Sequence, residues 1–399
     1  MAGLEDDETD PRELLLDNPV EIGANGRPTG VEVELPADEP DRAAEPFDPD
    51  SIGIDILQVT VEELLDRLKR GALDLAPDFQ RRASMWSEVQ QSRLIESMLL
   101  GIPLPPFFMA QQENDAWSVV DGTQRLTALV RFMAPGLIEA TTPLALRGLD
   151  FLEQLNSNVY GELPGRLRIR LRETRIVVHL VRLGTPEAVK FNVFSRVNAA
   201  GLPLTRQEIR HAMIPGLARD FVADLAEEQA FGEATGWSVS NERMTDREMV
   251  LRYLAFRLSP PEEYRQQDFD QFLNEAMHRV NGLTDEERER EARQFREAMK
   301  CAHAVFGRHA FRKSVGRTRK SPVNKALFEA VAVNLANLED RQRELLVTSR
   351  DKVQADFAYQ LAVDWNFARA LSVATSDPEN VRTRFKVVRQ IFQGVLSGD

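Results

Sequence analysis

Residues 117–127, WSVVDGTQRLT, decide the fold of this chain. An apolar run typical of a β-strand leads into Asp121 and Gly122, and a helical pattern begins with Thr123, Gln124 and Arg125. Glycine adopts backbone conformations that other residues resist. The free N–H groups of the first helical turn, together with a guanidinium, attract phosphate and other anions. The stretch therefore predicts a strand-turn-helix junction that can bind an anion.

Two further polar clusters accompany this stretch. The first is Asp78-Phe79-Gln80-Arg81-Arg82, followed by Trp86, and the second is Phe194-Ser195-Arg196-Val197-Asn198, followed by Gly201. Each of these two clusters, like the stretch around Asp121, also has a simpler interpretation. Asp-Gly is a common turn, the arginines near Gln80 can be solvated, and asparagine with glycine commonly ends a helix. Together, the stretch around Asp121 and the cluster around Gln80 favour a shared polar pocket.

Composition limits the classes of protein to consider. The chain has 399 residues, 43% of them apolar, and a single cysteine, Cys301, which excludes an internal disulfide and a multi-cysteine zinc site. The net charge is −13, but residues 1–50 carry all of the excess acid, so the rest of the chain is neutral. There is neither a long apolar run nor a signal-peptide pattern, so we expect a cytoplasmic protein that does not enter a membrane.

The predicted fold class is α+β, with three segments. Residues 1–50 are an acidic tail that buries too little surface to order itself, so we predict that it is largely disordered. It serves as a solubilising extension or as a mimic of nucleic acid that occupies a basic groove. Residues 51–204 are expected to form a small mixed sheet with helices, and residues 205–399 an all-helical domain.

Local patterns place the main elements. Short apolar runs predict strands at residues 55–59, 107–110 and 116–120, and the alternation in residues 167–183 predicts two more on either side of a turn. A helix should run from Thr123 to about Met133. Capping patterns predict further helix starts at five positions: Thr60, Ser87, Thr205, Thr245 and Thr284.

Several catalytic signatures are absent from the sequence. It contains no P-loop, no Gly-x-Ser-x-Gly elbow and no His-Glu-x-x-His motif, and its five histidines are scattered. We therefore predict no metal site, and we interpret His179 as a residue of the sheet or core.

Residues 308–320, RHAFRKSVGRTRK, form a basic stretch without an acid. A solvated loop is the ordinary interpretation, and contact with a phosphate backbone is the sharper one. The candidate DNA-binding residues are Arg312, Lys313, Arg317, Arg319 and Lys320.

The ordered motifs resemble those of one protein family. They are residues 79–86, residues 94–106 with the run GIPLPP, residues 120–127 and residues 194–210. In this order they resemble domain-of-unknown-function family 262 (DUF262), the N-terminal domain of GmrSD-type restriction endonucleases, in the ParB/sulfiredoxin-like superfamily.

The resemblance implies a small ParB/sulfiredoxin-like fold that binds a nucleotide and is linked to NTP hydrolysis or to sensing of modified DNA. It implies catalytic roles for Asp121, Gln124 and Arg125. Thr123 departs from the family pattern, which has an amide at this position. The nucleotide-binding residues carried over by position are Gln80, Arg81, Gly122, Thr123, Arg196 and Asn198.

Three functions follow as hypotheses. The first is a nucleotide-binding, DNA-associated protein of phage defence or modified-DNA sensing, with NTP hydrolysis in the presence of Mg²⁺ as an extension of binding. Residues 215–399 lack the histidine and acid pattern of the nuclease domain of GmrSD-type enzymes, so a separate nuclease or defence protein is the expected partner. The second hypothesis is a non-catalytic DNA-binding adaptor, and the third is a toxin-like or regulatory protein that its acidic tail restrains.

Overall fold

The computed structural model describes residues 18–23, 26–35, 53–75, 86–137, 142–197, 204–265, 268–315 and 318–398. The chain divides into two compact units. The α/β unit comprises residues 45–215, and the helical unit comprises residues 1–44 together with 216–399. Among the described helices, none is both long and apolar enough to span a membrane.

The α/β unit combines five strands with six helices among its described residues. Its strands are β3 (Ile54–Thr60), β4 (Leu73–Asp74), β5 (Phe107–Gln111), β6 (Trp117–Asp121) and β7 (Arg175–Val181). Its helices are α1 (Val61–Lys69), α2 (Glu88–Leu100), α3 (Thr123–Met133), α4 (Gly165–Glu173), α5 (Glu187–Val197) and α6 (Arg206–Met213). Short 3₁₀ turns lie at Pro135–Leu137, Glu153–Leu155 and Tyr160–Glu162.

The five strands form one mixed sheet in the order β3-β7-β5-β6-β4. The β3–β7 and β5–β6 pairs are antiparallel, whereas β5–β7 and β4–β6 are parallel. The β5–β6 register shifts next to Phe108, which lies opposite Asp121. Phe107, Met109 and Val178 belong to the buried apolar core on one face of the sheet. The predicted α+β class with a mixed sheet is confirmed.

The alternating segment 167–183 was only half predicted. Residues 175–181 form the expected strand, but Gly165–Glu173 is the helix α4, so the prediction of a strand around Ile169 and Leu171 is wrong. Leu163, Leu167 and Leu171 recur at intervals of four residues and contribute to the core. This helical period prevails over the period-two alternation because α4 packs on α1 and α2.

The helical unit contains ten α-helices among its described residues. They are α7 (Leu217–Glu227), α8 (Gln229–Thr235), α9 (Thr245–Leu258), α10 (Phe269–Asn281), α11 (Asp285–Phe306), α12 (Lys325–Ala336), α13 (Asp340–Thr348), α14 (Arg350–Val363), α15 (Trp365–Ala370) and α16 (Pro378–Ser397). A 3₁₀ turn follows α11 at Gly307–His309. The prediction was an all-helical domain at residues 205–399, and the described part of this region is mostly helical.

Most predicted helix starts are correct. Complete capping boxes open α2 at Ser87, α6 at Thr205 and α11 at Thr284, and the Thr60 hydroxyl accepts the N–H of Glu63 at the start of α1. The prediction for Thr245 is wrong, since this residue is the first within α9 and Met244 occupies the cap with a φ of 58°.

Part of the acidic N-terminal segment is ordered. We call residues 18–23 and 26–35 the N-terminal strap. It contains the hairpin of β1 (Val20–Ile22) and β2 (Pro28–Glu32) and belongs to the helical unit. Val31 and Leu35 form parallel bridges with Val323 and Val373. The prediction of disorder is therefore wrong for the described part of this segment.

Buried ion pairs explain why composition misled the prediction. Glu32 pairs with Lys313, and both side chains are at most 1% exposed. Glu34 accepts two hydrogen bonds from Arg252, of 2.9 and 2.5 Å. Acidic residues favour disorder when water solvates them, but these two meet cations from distant parts of the chain.

Candidate functional site

The turn after β6 requires glycine. Gly122 has a φ of 101°, in the left-handed region that residues with a Cβ avoid. A Cβ at this position would lie 2.4 Å from Cδ1 of Phe107. Both constraints require glycine at the N-cap of α3, where the backbone passes close to the Phe107 ring.

Arg125 connects this turn to the proline-rich loop before β5. Its Nη2 donates hydrogen bonds to Asp121 Oδ2 at 2.9 Å and to the Pro106 carbonyl at 3.2 Å, and its Nη1 donates to the Pro105 carbonyl. The guanidinium carbon lies 4.5 Å from the centre of the Phe107 ring. Burial lowers the pKa of Arg125, while the Asp121 carboxylate opposes that shift.

These contacts define what Arg125 can do. Its three hydrogen bonds engage three of the five N–H groups of a guanidinium. The residue is 8% exposed. Asp121 thus orients Arg125, and Arg125 positions the loop beside the turn.

The first turn of α3 presents unpaired backbone donors. Helix geometry leaves the N–H groups of Thr123, Gln124 and Arg125 without acceptors inside the helix, and the N–H of Leu126 is the first to bond, to the Gly122 carbonyl at 2.9 Å. Gly122 occupies the N-cap and has no side chain that could cap this end. The Thr127 hydroxyl, on the next turn, is buried and has no hydrogen-bond partner within the described residues. This end of α3 has the features of an anion site.

Gln124 links the turn to the first polar cluster. Its side-chain oxygen accepts the Trp86 backbone N–H at 3.3 Å, and the Trp86 carbonyl in turn accepts Gln91 Nε2 at 2.7 Å. Trp86 ends the motif that contains Gln80 and Arg81, both of which lie outside the described residues. The hydrogen bond therefore brings the end of that motif to the first turn of α3.

The helix α6 places further polar groups beside the same strand. It packs against β6, and its side chains Gln207, Arg210 and His211 are at most 2% exposed. Nη1 of Arg210 donates to Gln207 Oε1 at 2.5 Å. Burial of so many polar groups on one helix is unusual. The predicted unit boundary at residue 204 precedes this helix, whereas the contacts of α6 place it in the α/β unit.

The second polar cluster, which begins at Phe194, lies at the end of α5, and the structure describes only the backbone of its residues 195–197. Arg196 belongs to α5, but its side chain lies outside the described set, as does the whole of Asn198. Their predicted roles in nucleotide binding stay predictions. His179 lies in β7 as predicted, where its ring stacks on that of Phe108 at a centroid distance of 4.7 Å.

Two of the predicted DNA-binding residues are buried in the helical unit. Arg312 is 2% exposed and donates to the carbonyls of Ser321 and Thr235, and Lys313 is 1% exposed and pairs with Glu32. We withdraw both as DNA contacts because a phosphate cannot reach them. Arg319 and Lys320 are exposed, and Arg317 lies outside the described residues.

Sequence reasoning missed several groups around the turn. They are the carbonyls of Pro105 and Pro106, the Trp86 N–H, and the buried side chains of Gln207 and Arg210. Backbone groups carry no residue-type signal, and a polar helix normally indicates solvent exposure. Within the described residues, no three histidine, cysteine, aspartate or glutamate side chains are grouped as metal ligands would be.

A comparison with protein families finds a match for part of the chain. Residues 61–215 match the family model for the N-terminal domain of GmrSD restriction endonucleases. This match confirms the resemblance of this region to the GmrSD N-terminal domain, and it suggests an association with restriction and phage defence. A search of curated proteins finds no match.

Proposed function

We propose, from the match of residues 61–215 to the GmrSD N-terminal domain, that the α/β unit binds the phosphates of a nucleotide at the N-terminus of α3. The observation that carries the proposal is the first turn of α3, which begins at Gly122 without a side-chain cap. Gly122 lies close to the Phe107 ring at this point. Backbone N–H groups and the positive end of the helix dipole together favour a phosphate.

The three residues that the resemblance marks as catalytic receive positioning roles. Asp121 and Arg125 fix the turn against the proline-rich loop, and Gln124 joins it to Trp86. Gln80, Arg81, Arg196 and Asn198 would complete the nucleotide contacts. We assign binding to this site first. Hydrolysis is the extension that the resemblance implies, and phosphate release in the presence of Mg²⁺ would measure it.

The proposal places the protein with DNA in a restriction-type defence system. Restriction endonucleases act on DNA, and the matched family is named for one of them. The nucleotide would then report or control engagement of modified DNA, with cleavage supplied by a separate nuclease. A ParB/sulfiredoxin-like origin for the mixed sheet belongs to the same proposal.

Titration calorimetry with ATP and GTP, with and without Mg²⁺, tests the binding site. The most informative variant is Gln124→Glu. Its carboxylate still accepts the Trp86 N–H, and an acid in the first turn favours the helix. The added negative charge repels a phosphate at the same place, so we expect nucleotide affinity to fall about tenfold or more while thermal stability is unchanged or higher.

Gln342→Glu is the matched control because it makes the same substitution in the first turn of α13, within a capping box of the helical unit. It should bind nucleotide like the wild type. Absence of nucleotide binding by the wild type, or equal affinities for the Gln124→Glu and control variants, would contradict the proposal.

A DNA-binding adaptor without a nucleotide is the second candidate function. It is favoured by Arg319 and Lys320, which remain exposed in the basic stretch near Arg308. Phosphate contacts make affinity fall steeply with salt concentration. Reversal of both charges should then weaken DNA binding, whereas unchanged binding would reject this role for the stretch.

A further inference from the structure

We propose that the exposed arginine face of α4 binds the phosphate backbone of duplex DNA. This inference rests on the DNA association in the proposed function, but it assigns that contact to a new surface. Arg166, Arg168, Arg170 and Arg172 alternate along the helix, and all four are exposed. We call these four side chains the α4 arginines.

The local sequence of α4 contributes little to the stability of this helix. Pro164 at the N-cap makes no side-chain hydrogen bond, and the first turn contains no acid. Arg166 and Arg170 lie one turn apart, as do Arg168 and Arg172, and like charges at this spacing destabilise a helix. Packing of Leu167 and Leu171 into the core holds the helix instead. Stability therefore does not explain the four arginines.

No acid of the described residues pairs with three of the four guanidiniums. Arg172 pairs with Glu62 of α1. Among the described residues, the guanidiniums of Arg166, Arg168 and Arg170 have no ion pair and no hydrogen-bond acceptor. Elsewhere in the α/β unit, arginines such as Arg93 and Arg182 pair with Asp150 and Asp55. Arg166, Arg168 and Arg170 thus form a positive surface that no acid of the described residues neutralises.

The geometry of α4 suits a phosphate backbone. Its leucines lie on the inner face, so helical spacing places the arginines along both flanks of the outer face, with Ile169 between them and 54% exposed. A nine-residue helix is about 13 Å long, which spans about four nucleotides of one strand at 3.4 Å each. Arginine also matches phosphate in shape and bonds it in a bidentate manner.

The test is duplex-DNA binding by the full chain, measured by fluorescence anisotropy over a series of salt concentrations. In Arg166→Gln/Arg170→Gln, the slope of log affinity against log salt should become shallower by about two. Affinity at low salt should fall about tenfold. Arg166→Lys/Arg170→Lys should retain most of the slope, because lysine keeps the charge.

Arg341→Gln/Arg350→Gln is the matched control. It removes the same net charge from exposed positions of the helical unit and should leave the slope unchanged. If the α4 variant binds DNA like this control, the proposal fails. If instead Arg319→Glu/Lys320→Glu alone abolishes binding, the contact belongs to the basic stretch of the helical unit.

A second measurement uses the wild type and so does not depend on the folding of a variant. Duplex DNA should protect the α4 arginines from modification by phenylglyoxal, read by mass spectrometry, and equal modification with and without DNA would overturn the proposal. Nucleotide binding by the α4 variant separates the two proposals, since it should equal that of the wild type. If the wild type binds nucleotide but not DNA, the proposal for α4 is rejected and the proposed nucleotide site is not.

Discussion

Arg125 and Asp121 form a 2.9 Å hydrogen-bonded ion pair across one turn of backbone, from the last residue of β6 to the first turn of α3. The same guanidinium binds the carbonyls of Pro105 and Pro106, which lie before the neighbouring strand. One side chain therefore ties two sequence motifs together at the end of the sheet.

Arg125→Lys should destabilise the α/β unit by about 2 kcal/mol, because an ammonium cannot reproduce the forked contacts of a guanidinium. Urea unfolding measures the change. Arg93→Lys is the control, since the Arg93–Asp150 pair is about half exposed. It should change stability by less than about 0.5 kcal/mol. Equal effects of the two substitutions would show that Arg125 does not hold the loop.

Gly122→Ala should cost about 2 kcal/mol or more, because it combines a left-handed backbone with a clash. Gly184→Ala separates these causes, since Gly184 has a φ of 91° but nothing within 4 Å of an added Cβ. The control should cost about 1 kcal/mol. If both variants lose the same stability in urea unfolding, contact with Phe107 contributes nothing.

Lys313→Met should destabilise the helical unit by about 3–5 kcal/mol, because it leaves Glu32 buried without its cation. The double variant Glu32→Gln/Lys313→Met should regain part of the lost stability. Thermal unfolding measures both changes. Lys320→Met, at an exposed position in the same basic stretch, should be close to neutral. A neutral Lys313→Met would mean that the strap does not depend on this pair.

Glu34 should make the helical unit sensitive to acid. Burial alone would raise its pKa, but the charge and hydrogen bonds of Arg252, with help from Lys325 and Thr375, lower the pKa from 4.5 to about 2. A lowered pKa in the folded state contributes stability above pH 4.5, and that contribution disappears as the pH falls to about 2. The full amount is about 3 kcal/mol.

The difference in unfolding free energy between the wild type and Glu34→Gln should therefore shrink as the pH falls through this window. Glu344→Gln, at an exposed glutamate of α13, is the control and should follow the wild type throughout. A difference that does not vary with pH would refute the role of Glu34.

The sequence determined the local elements of this protein. The run WSVVDGTQRLT predicted β6, the glycine turn and α3, and the capping patterns predicted the starts of α2, α6 and α11, because these features depend on neighbouring residues alone. The order of the motifs identified the family of residues 61–215.

Only the tertiary structure decided which charged side chains are exposed and free to bind a ligand. Arg125 and Lys313 look like free cations in the sequence, yet one binds two carbonyls and a carboxylate and the other pairs with Glu32 of the strap. Ile169 belongs to a helix because distant elements bury Leu167 and Leu171. Burial and ion pairing depend on residues far apart in the chain, and no local pattern specifies which of them meet.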